Sequence, residues 1–294
     1  MRRIKKHRRP GSVLHTTSSS ALDDGQQEEG IYQSLKRLRL SGKYADLTIR
    51  CGGRDFKTHR AILCPQSSFF DKACHSGFKE SVTGVVELPE DDPDILDRFL
   101  QFIYSGNYPD REHPTPDQPS LAATFMNPDQ IENESVPPVE EPDLWAELHH
   151  TTGHHTTGKA SGEEVTRFEG EETDVKESGD DLFTSLRVYV MADKFNVPAL
   201  KLLAYHRFSS TAAKVFDSYG RFPAVVDELY ESTLPTDCIR VIPCRLIADR
   251  YYSNQRFNLD TYIPTMVKHA ELAIDVLKSS KTSRSRLDGW GQYS

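Results

Sequence analysis

At 294 residues the chain is long enough for one or two domains, and its content of 37% hydrophobic and 27% charged residues allows a packed core. The formal net charge of −8 argues against a protein that binds nucleic acid directly. No apolar run approaches the ~18 residues of a membrane-spanning helix, and none follows the basic N-terminus, so we expect neither a membrane partner nor a secretory signal.

Cysteine usage indicates the cellular setting. The five cysteines form no CxxC pair and are Cys51, Cys64, Cys74, Cys238 and Cys244. An odd number of cysteines without metal-ligand spacing excludes a disulfide scaffold and a zinc ribbon, and it is typical of a reducing compartment. We therefore expect an intracellular protein, in the nucleus or the cytoplasm, with no bound metal.

Residues 1–30 show no apolar periodicity and are predicted to form a disordered basic arm. Its six basic residues fall within the first ten positions and are Arg2, Arg3, Lys5, Lys6, Arg8 and Arg9. Such a cluster is typical of a nuclear import signal. The alternatives are a solvated arm or a weak, salt-sensitive contact with the chain's own acidic segment.

Residues 31–108 show the apolar periodicity of a folded domain. The predicted elements are strands over 46–51, 54–58 and 85–88, short helices over 59–63 and 67–74, and a helix that follows Asp92-Pro93 and stops at Gly106. The first strand follows from the alternation of Leu47, Ile49 and Cys51 with polar residues. Gly52-Gly53 then predicts a tight hairpin, because both residues tolerate positive φ.

Residues 109–180 are predicted to be a disordered acidic insertion. They contain 18 acidic and 4 basic residues, and the pentapeptide HHTTG occurs twice in succession, from His149 and from His154. The four histidines could bind a transition metal, but a perfect duplication is more typical of an unconstrained linker. Loop-closure entropy grows only with the logarithm of length, so such an insertion in a surface turn costs little stability.

Beyond the insertion, apolar residues return at helical spacing. Leu182, Leu186 and Tyr189 predict a helix, and Asn196-Val-Pro198 separates it from the next one. The remaining parts are predicted to be folded chain over 181–214, a helical extension over 215–279 and a disordered tail over 280–294. Strands followed by helices, without βαβ alternation, indicate an α+β fold in which a helical layer caps a small three-stranded sheet.

Several motifs in this order resemble the BTB/POZ domain. They are Tyr44-Ala-Asp46, Phe56-Lys-Thr-His59-Arg60, Ser67-Ser-Phe69-Phe70, the run from Phe99 to Gly106, and the run from Val188 to Leu200. The resemblance implies a BTB/POZ fold whose first part is 31–108 and whose second part is 181–214. A long acidic insertion between the two parts is similar to fungal BTB proteins.

The resemblance implies a protein-interaction module rather than an enzyme, with no cofactor and no small-molecule substrate. Many BTB proteins form homodimers, and many bridge a substrate to the cullin scaffold of a ubiquitin ligase. Cullin-binding members carry a hydrophobic-x-Glu motif, which Phe78-Lys79-Glu80 matches, and Tyr104 matches a further contact position. We therefore expect an adaptor of a cullin-RING ubiquitin ligase. In the alternative, Phe78 packs on its own domain and Glu80 is merely solvated.

The resemblance also implies roles for charged residues and for one helix. Asp46 and Arg60 are expected to pair near the dimer groove, and His59 to bond backbone groups at the strand-to-helix turn. The expected dimer interface consists of three leucines on a helix before the first strand: Leu35, Leu38 and Leu40. The alternative for these leucines is packing within one chain.

Two further hypotheses are weaker. A nuclear transcriptional co-regulator would recruit corepressors through a BTB homodimer, and it would need a DNA-binding partner because the chain encodes no such domain. An enzyme has little support, because GxSxG, HExxH, GxGxxG and phosphate-loop motifs are absent and Ser76-Gly-Phe-Lys79 lacks the companion motifs of a serine-lysine site. The sequence shows no internal repeat of the kind that forms a substrate-binding domain. Residues 215–279 or the acidic insertion would therefore have to bind the partner.

Overall fold

The computed structural model describes residues 30–75, 77–111, 114, 118–124, 169–253 and 257–290, with the backbone alone at 124, 169–178 and 281–290. The basic arm up to residue 29 and the central part of the acidic insertion lie outside these ranges. Within them, no helix combines the length and the apolar character that crossing a membrane requires.

A three-stranded sheet forms the first layer. The strands are β1 (Leu47–Cys51), β2 (Arg54–Thr58) and β3 (Val85–Leu88). Their order is β2-β1-β3, with β2 antiparallel to β1 and β3 parallel to it. The predicted small sheet of an α+β fold is confirmed.

The sheet has the register that its side-chain alternation requires. Leu47, Ile49 and Cys51 are at most 2% exposed, whereas Arg50 between them points to solvent. Gly52 and Gly53 close the hairpin with φ of 52° and 79°, a conformation that side chains with a Cβ adopt at a cost.

Helices cover the sheet and extend beyond it. They are α1 (Ile31–Ser41), α2 (Arg60–Leu63), α3 (Ser68–Cys74), α4 (Lys79–Thr83), α5 (Pro93–Ser105), α6 (Leu121–Thr124), α7 (Glu169–Lys194), α8 (Pro198–Val215), α9 (Phe222–Ser232), α10 (Val241–Ser253), α11 (Ile263–Lys268) and α12 (Ala270–Trp290). Three short 3-10 turns, at Cys64–Gln66, Cys238–Arg240 and Leu259–Tyr262, connect some of them.

Helix α5 is bounded by local signals at both ends. The Asp92 carboxylate accepts hydrogen bonds from the backbone amides of Asp94 and Ile95, and Pro93 occupies the first helical position. At the other end Gly106 takes a left-handed conformation with φ of 71°. The predicted helix between Asp92-Pro93 and Gly106 is confirmed.

A single hydrophobic core contains residues from both sides of the insertion. The ring of Phe195, at the end of α7, lies 5.0 Å from the ring of Phe70 in α3 and 5.3 Å from that of Phe99 in α5. Aromatic pairs at such spacing stabilise a core beyond their area burial. The second part of the chain therefore completes the globule that the first part begins.

The described structure extends further into both flanks of the insertion than the sequence predicts. Ser120 donates backbone and side-chain hydrogen bonds to the carbonyl of Gly106, and a Cβ at Gly106 would lie only 2.7 Å from Pro119. On the far side, α7 begins at Glu169 rather than at 181. The described structure therefore continues past the predicted boundaries at 109 and 180.

The C-terminal extension is helical, as expected, but differs in detail. The apolar spacing from Ile263 to Leu277 suggests one helix, whereas the structure has α11 and α12 with a break at His269. Arg240 is buried and links α12 to the end of α9 by bonding Glu271, Thr233 and the carbonyl of Tyr230. Helix α12 runs to Trp290, so the predicted disordered tail from 280 begins as helix.

Candidate protein-docking surface

Two exposed apolar side chains lie at α4, one just before the helix and one within it. Phe78 precedes the helix and is 57% exposed, and Val82, four residues later, is 87% exposed. Residues four apart lie on the same side of a helix, so the two form one apolar patch, whereas Glu80, two residues from each, lies on a different side of this short helix. We name Phe78, Glu80 and Val82 the α4 surface.

The backbone of this short helix is fixed to the sheet. The Arg60 guanidinium donates from Nη2 to the carbonyls of Glu80 and Ser81, at 3.5 and 3.3 Å. Gly84 ends the helix in a left-handed conformation, and its carbonyl accepts from the Thr48 amide of β1 at 2.8 Å. The α4 surface is therefore presented on a held backbone, which lowers the entropy cost of docking.

The Glu80 carboxylate remains available to a partner. No ion pair joins it to another side chain in the described part of the chain, whereas its backbone carbonyl accepts from the Gly84 amide at 2.9 Å. A carboxylate on the same short segment as two exposed apolar groups can fix the orientation of a docked partner through a charged hydrogen bond.

The expected charge pair between Asp46 and Arg60 takes a different form. Asp46 Oδ1 accepts from the backbone amide of Arg60 at 2.8 Å, which satisfies an unpaired donor at the start of α2. The Arg60 side chain is directed to α4 instead, and its buried Nε lacks an acceptor among the described residues. The prediction of a side-chain salt bridge is wrong, because the Arg60 guanidinium donates hydrogen bonds to backbone carbonyls of α4 instead.

His59 bonds a backbone carbonyl at the strand-to-helix turn, as expected. Its Nε2 lies 2.7 Å from the carbonyl of Lys43, which can only accept, so Nε2 carries the proton. Its Nδ1 therefore accepts from the Tyr104 hydroxyl at 2.6 Å, and the same hydroxyl accepts from the His59 amide at 2.9 Å. Each polar group in this small network is satisfied.

This network removes Tyr104 from the surface. The side chain is 1% exposed, and burial raises the pKa of its hydroxyl to about 12. The prediction that Tyr104 contacts a partner is wrong for this conformation, because the ring is enclosed and the hydroxyl is used by His59. Tyr104 instead fixes the turn that leads into α2.

The three leucines of α1 do not share a face. Leu35 packs against the core and Leu38 is half-buried, whereas Leu40 is 68% exposed. At 100° per residue, Leu40 lies on nearly the opposite side of the helix from Leu38. It lies instead within about 80° of Tyr32 around the helix axis, on the same broad stripe; Tyr32 is 40% exposed and the sequence did not single it out.

One cluster of potential metal ligands occurs among the described residues. The ligand atoms of Asp227, Glu231 and His269 lie within 4.8 Å of one another. Lys268 Nζ, however, bonds the Asp227 and Glu231 carboxylates at 2.8 and 2.6 Å. The Lys268 ammonium group already lies between these two carboxylates, so the arrangement is an ion-pair network rather than a cation site.

Some predicted features lie outside the described residues. They are the HHTTG repeat and the six residues of the expected import signal, Arg2, Arg3, Lys5, Lys6, Arg8 and Arg9. The structure neither supports nor opposes these predictions.

Comparison with known proteins identifies the first part of the fold. The family model described as BTB/POZ domain matches residues 35–133. Kelch-like protein 30 of Homo sapiens is 33% identical over 78 residues, which are 26% of this chain and 14% of that protein. Kelch-like protein 24a of Danio rerio and Kelch-like protein 21 of Rattus norvegicus are both 36% identical over 26% of this chain and 13% of their own length. The chain thus spans a small fraction of these relatives.

Proposed function

Because the chain carries a BTB/POZ domain, we propose that it is a protein-interaction adaptor, not an enzyme, whose α4 surface binds a cullin scaffold in a ubiquitin ligase. BTB/POZ domains act as interaction modules, and the similarity to Kelch-like proteins favours an adaptor role. Those relatives match over only 13–14% of their own length, so the cullin as partner is part of the proposal.

The exposure of Phe78 carries the proposal. An aromatic side chain that is 57% exposed on a held backbone can enter an apolar groove of a partner. Val82 widens the apolar contact, and the Glu80 carboxylate can set its register. The hydrophobic-x-Glu motif seen in the sequence thus lies at the surface, where a cullin contact needs it.

An adaptor needs a second surface that reads its cargo. We assign this role to the C-terminal helices, which continue the globule beyond the matched BTB/POZ region. Exposed apolar side chains occur there at Val267 (79%), Ile274 (53%) and Leu277 (61%). Neighbouring exposed apolar residues on a folded surface are typical of interaction sites.

Titration of the full chain with a panel of purified cullin N-terminal domains tests the proposal. We expect one of these domains to bind and Phe78→Ala to weaken binding by about 30-fold, as for a hot-spot aromatic. Glu80→Lys should weaken it as well. Leu234→Ala is the matched control, because Leu234 is 66% exposed and lies apart from α4 in sequence. Absence of binding to every cullin domain, or equal affinity of Phe78→Ala and wild type, would overturn the proposal.

A nuclear co-regulator that acts as a homodimer is the second candidate. The exposed stripe of Tyr32 and Leu40 on α1 favours self-association, and the basic residues at the N-terminus favour nuclear import. A fluorescent fusion that is exclusively nuclear, together with a dimer that binds no cullin domain, would support this candidate over the adaptor.

A further inference from the structure

Two cysteines outside the α4 surface lie beside each other. Cys64 begins a 3-10 turn and Cys74 ends α3. The Cys64 Sγ lies 3.7 Å from the carbonyl oxygen of Phe70, and in the helical pattern that carbonyl faces the amide of Cys74. The Cys64 sulfur is therefore held over the last turn of α3, where it interacts with the Cys74 thiol.

The pair is accessible to small solutes. Cys64 lines an open groove of about 790 Å³, together with Pro65, Ser68 and Asp71. Both Cys64 and Cys74 are half-buried, whereas Cys51 and Cys244 are buried. A small polar oxidant in this groove can thus reach Cys64, and neither Cys64 nor Cys74 is enclosed as the two core cysteines are.

We propose that Cys64 and Cys74 are an oxidation site, at which a peroxide oxidises the two thiols to an intramolecular disulfide. The Cys74 thiolate attacks one oxygen of hydrogen peroxide, the O–O bond breaks, and the leaving hydroxide takes a proton to become water. The Cys64 sulfur then attacks the sulfenic acid on Cys74, loses its proton and releases the second water. Two thiols are oxidised and one peroxide is reduced.

The surroundings of Cys64 assign the order of these steps. Burial, the neighbouring Cys74 thiol and the charge of Asp71 raise the pKa of Cys64 to about 12, against a smaller opposing effect of Arg60. Cys64 therefore keeps its proton at neutral pH, which leaves the first attack to Cys74. The reaction should be slow compared with that of a dedicated peroxide sensor.

A disulfide here would tie the 3-10 turn to the end of α3. From that end the chain runs through Gly77 to Phe78, so the link would restrict the segment that leads to the α4 surface. The formation of the disulfide itself does not depend on the proposed function.

Peptide mapping of the full chain in a Cys238→Ser background tests the inference, because this change removes an exposed thiol that could link two molecules. After treatment with hydrogen peroxide and alkylation, we expect a peptide pair joined through Cys64 and Cys74. Dithiothreitol should separate the two joined peptides. Cys51 and Cys244 should not be oxidised, and their peptides should therefore carry the alkyl group. Cys64→Ser and Cys74→Ser in the same background should each yield no joined peptide. The inference is overturned if, in the Cys238→Ser protein, Cys64 and Cys74 are both alkylated after peroxide treatment or carry separate sulfinic acids. Circular dichroism must show that the treated protein is still folded.

Discussion

The hydroxyl of Ser67 donates a 2.6 Å hydrogen bond to the carbonyl of Phe195, a residue 128 positions later and on the far side of the acidic insertion. The same oxygen accepts from the amide of Phe70 and caps α3. One buried side chain therefore fixes the start of α3 and the end of α7. This contact shows how the two flanks of the insertion close into one globule.

Ser67→Ala should lower the free energy of unfolding by about 1–2 kcal/mol, because it removes a helix cap and leaves the Phe195 carbonyl without its donor. Urea unfolding followed by circular dichroism measures the effect. Ser68→Ala is the matched control, since Ser68 is an exposed neighbour that bonds only the Asn196 side chain among the described contacts. Equal stability of the two variants would contradict the assigned role of Ser67.

Tyr104→Phe should lower the free energy of unfolding by about 1–3 kcal/mol at neutral pH. The change removes a hydroxyl that both donates to the His59 ring and accepts from the His59 amide, and it leaves two buried groups unpaired. Tyr251→Phe serves as the control because Tyr251 is 53% exposed. Thermal or urea unfolding of the three proteins gives the comparison.

The same tyrosine predicts a dependence on alkaline pH. Its pKa is about 12 in the folded protein and about 10 in an unfolded chain, so only the unfolded state loses the proton between these values. Wild-type stability should then fall by up to about 1.4 kcal/mol per pH unit more than that of Tyr104→Phe between pH 10 and 12. Below pH 10 the difference in the free energy of unfolding between the two proteins should not change with pH. Parallel curves throughout pH 10–12 would show that the hydroxyl is not enclosed.

Arg207→Ala should lower the free energy of unfolding by about 3–5 kcal/mol, because it breaks a buried ion pair and removes the donor of two further hydrogen bonds. Arg207 lies 3.0 Å from Asp110, both side chains are 9% exposed, and its other nitrogens bond the Tyr108 carbonyl and the Asn107 amide oxygen. Arg250→Ala is the control. It breaks a pair with Asp217 whose carboxylate is 59% exposed, and it should cost less than about 1 kcal/mol. A similar loss in both variants would show that Arg207 does not anchor the start of the insertion.

Leu40→Glu should abolish self-association if α1 forms the dimer interface. Light scattering during gel filtration should give twice the chain mass of 33.3 kDa for the wild type and the single mass for the variant. Leu234→Glu places the same charge at another exposed leucine and should leave the dimer intact. A monomeric wild type at concentrations of tens of micromolar would contradict the proposed interface.

The sheet and α5 could be predicted because their signals are local. The alternation of Leu47, Ile49 and Cys51 sets the buried face of β1, and Asp92 and Gly106 set the limits of α5. The edges of the insertion carry no such signal. Asp110 resembles any acidic loop residue, and only the position of Arg207 on α8 shows that it is buried and paired.

The candidate site was predictable only in part. The Phe78-Lys79-Glu80 motif pointed to an exposed contact, and the structure exposes Phe78. Val82 was missed, although its spacing of four from Phe78 was a usable signal. The enclosure of Tyr104 and the direction of the Arg60 side chain depend on contacts distant in sequence, which residue patterns do not reveal.

Cleavage within the insertion tests the central claim that its two flanks form one globule. A specific protease site would be placed between residues 151 and 152 of the full chain, and the protein would be cut under native conditions. We predict that the two fragments elute together in gel filtration and unfold in a single transition. Fragments that separate without denaturant, or that unfold in two independent transitions, would contradict the claim.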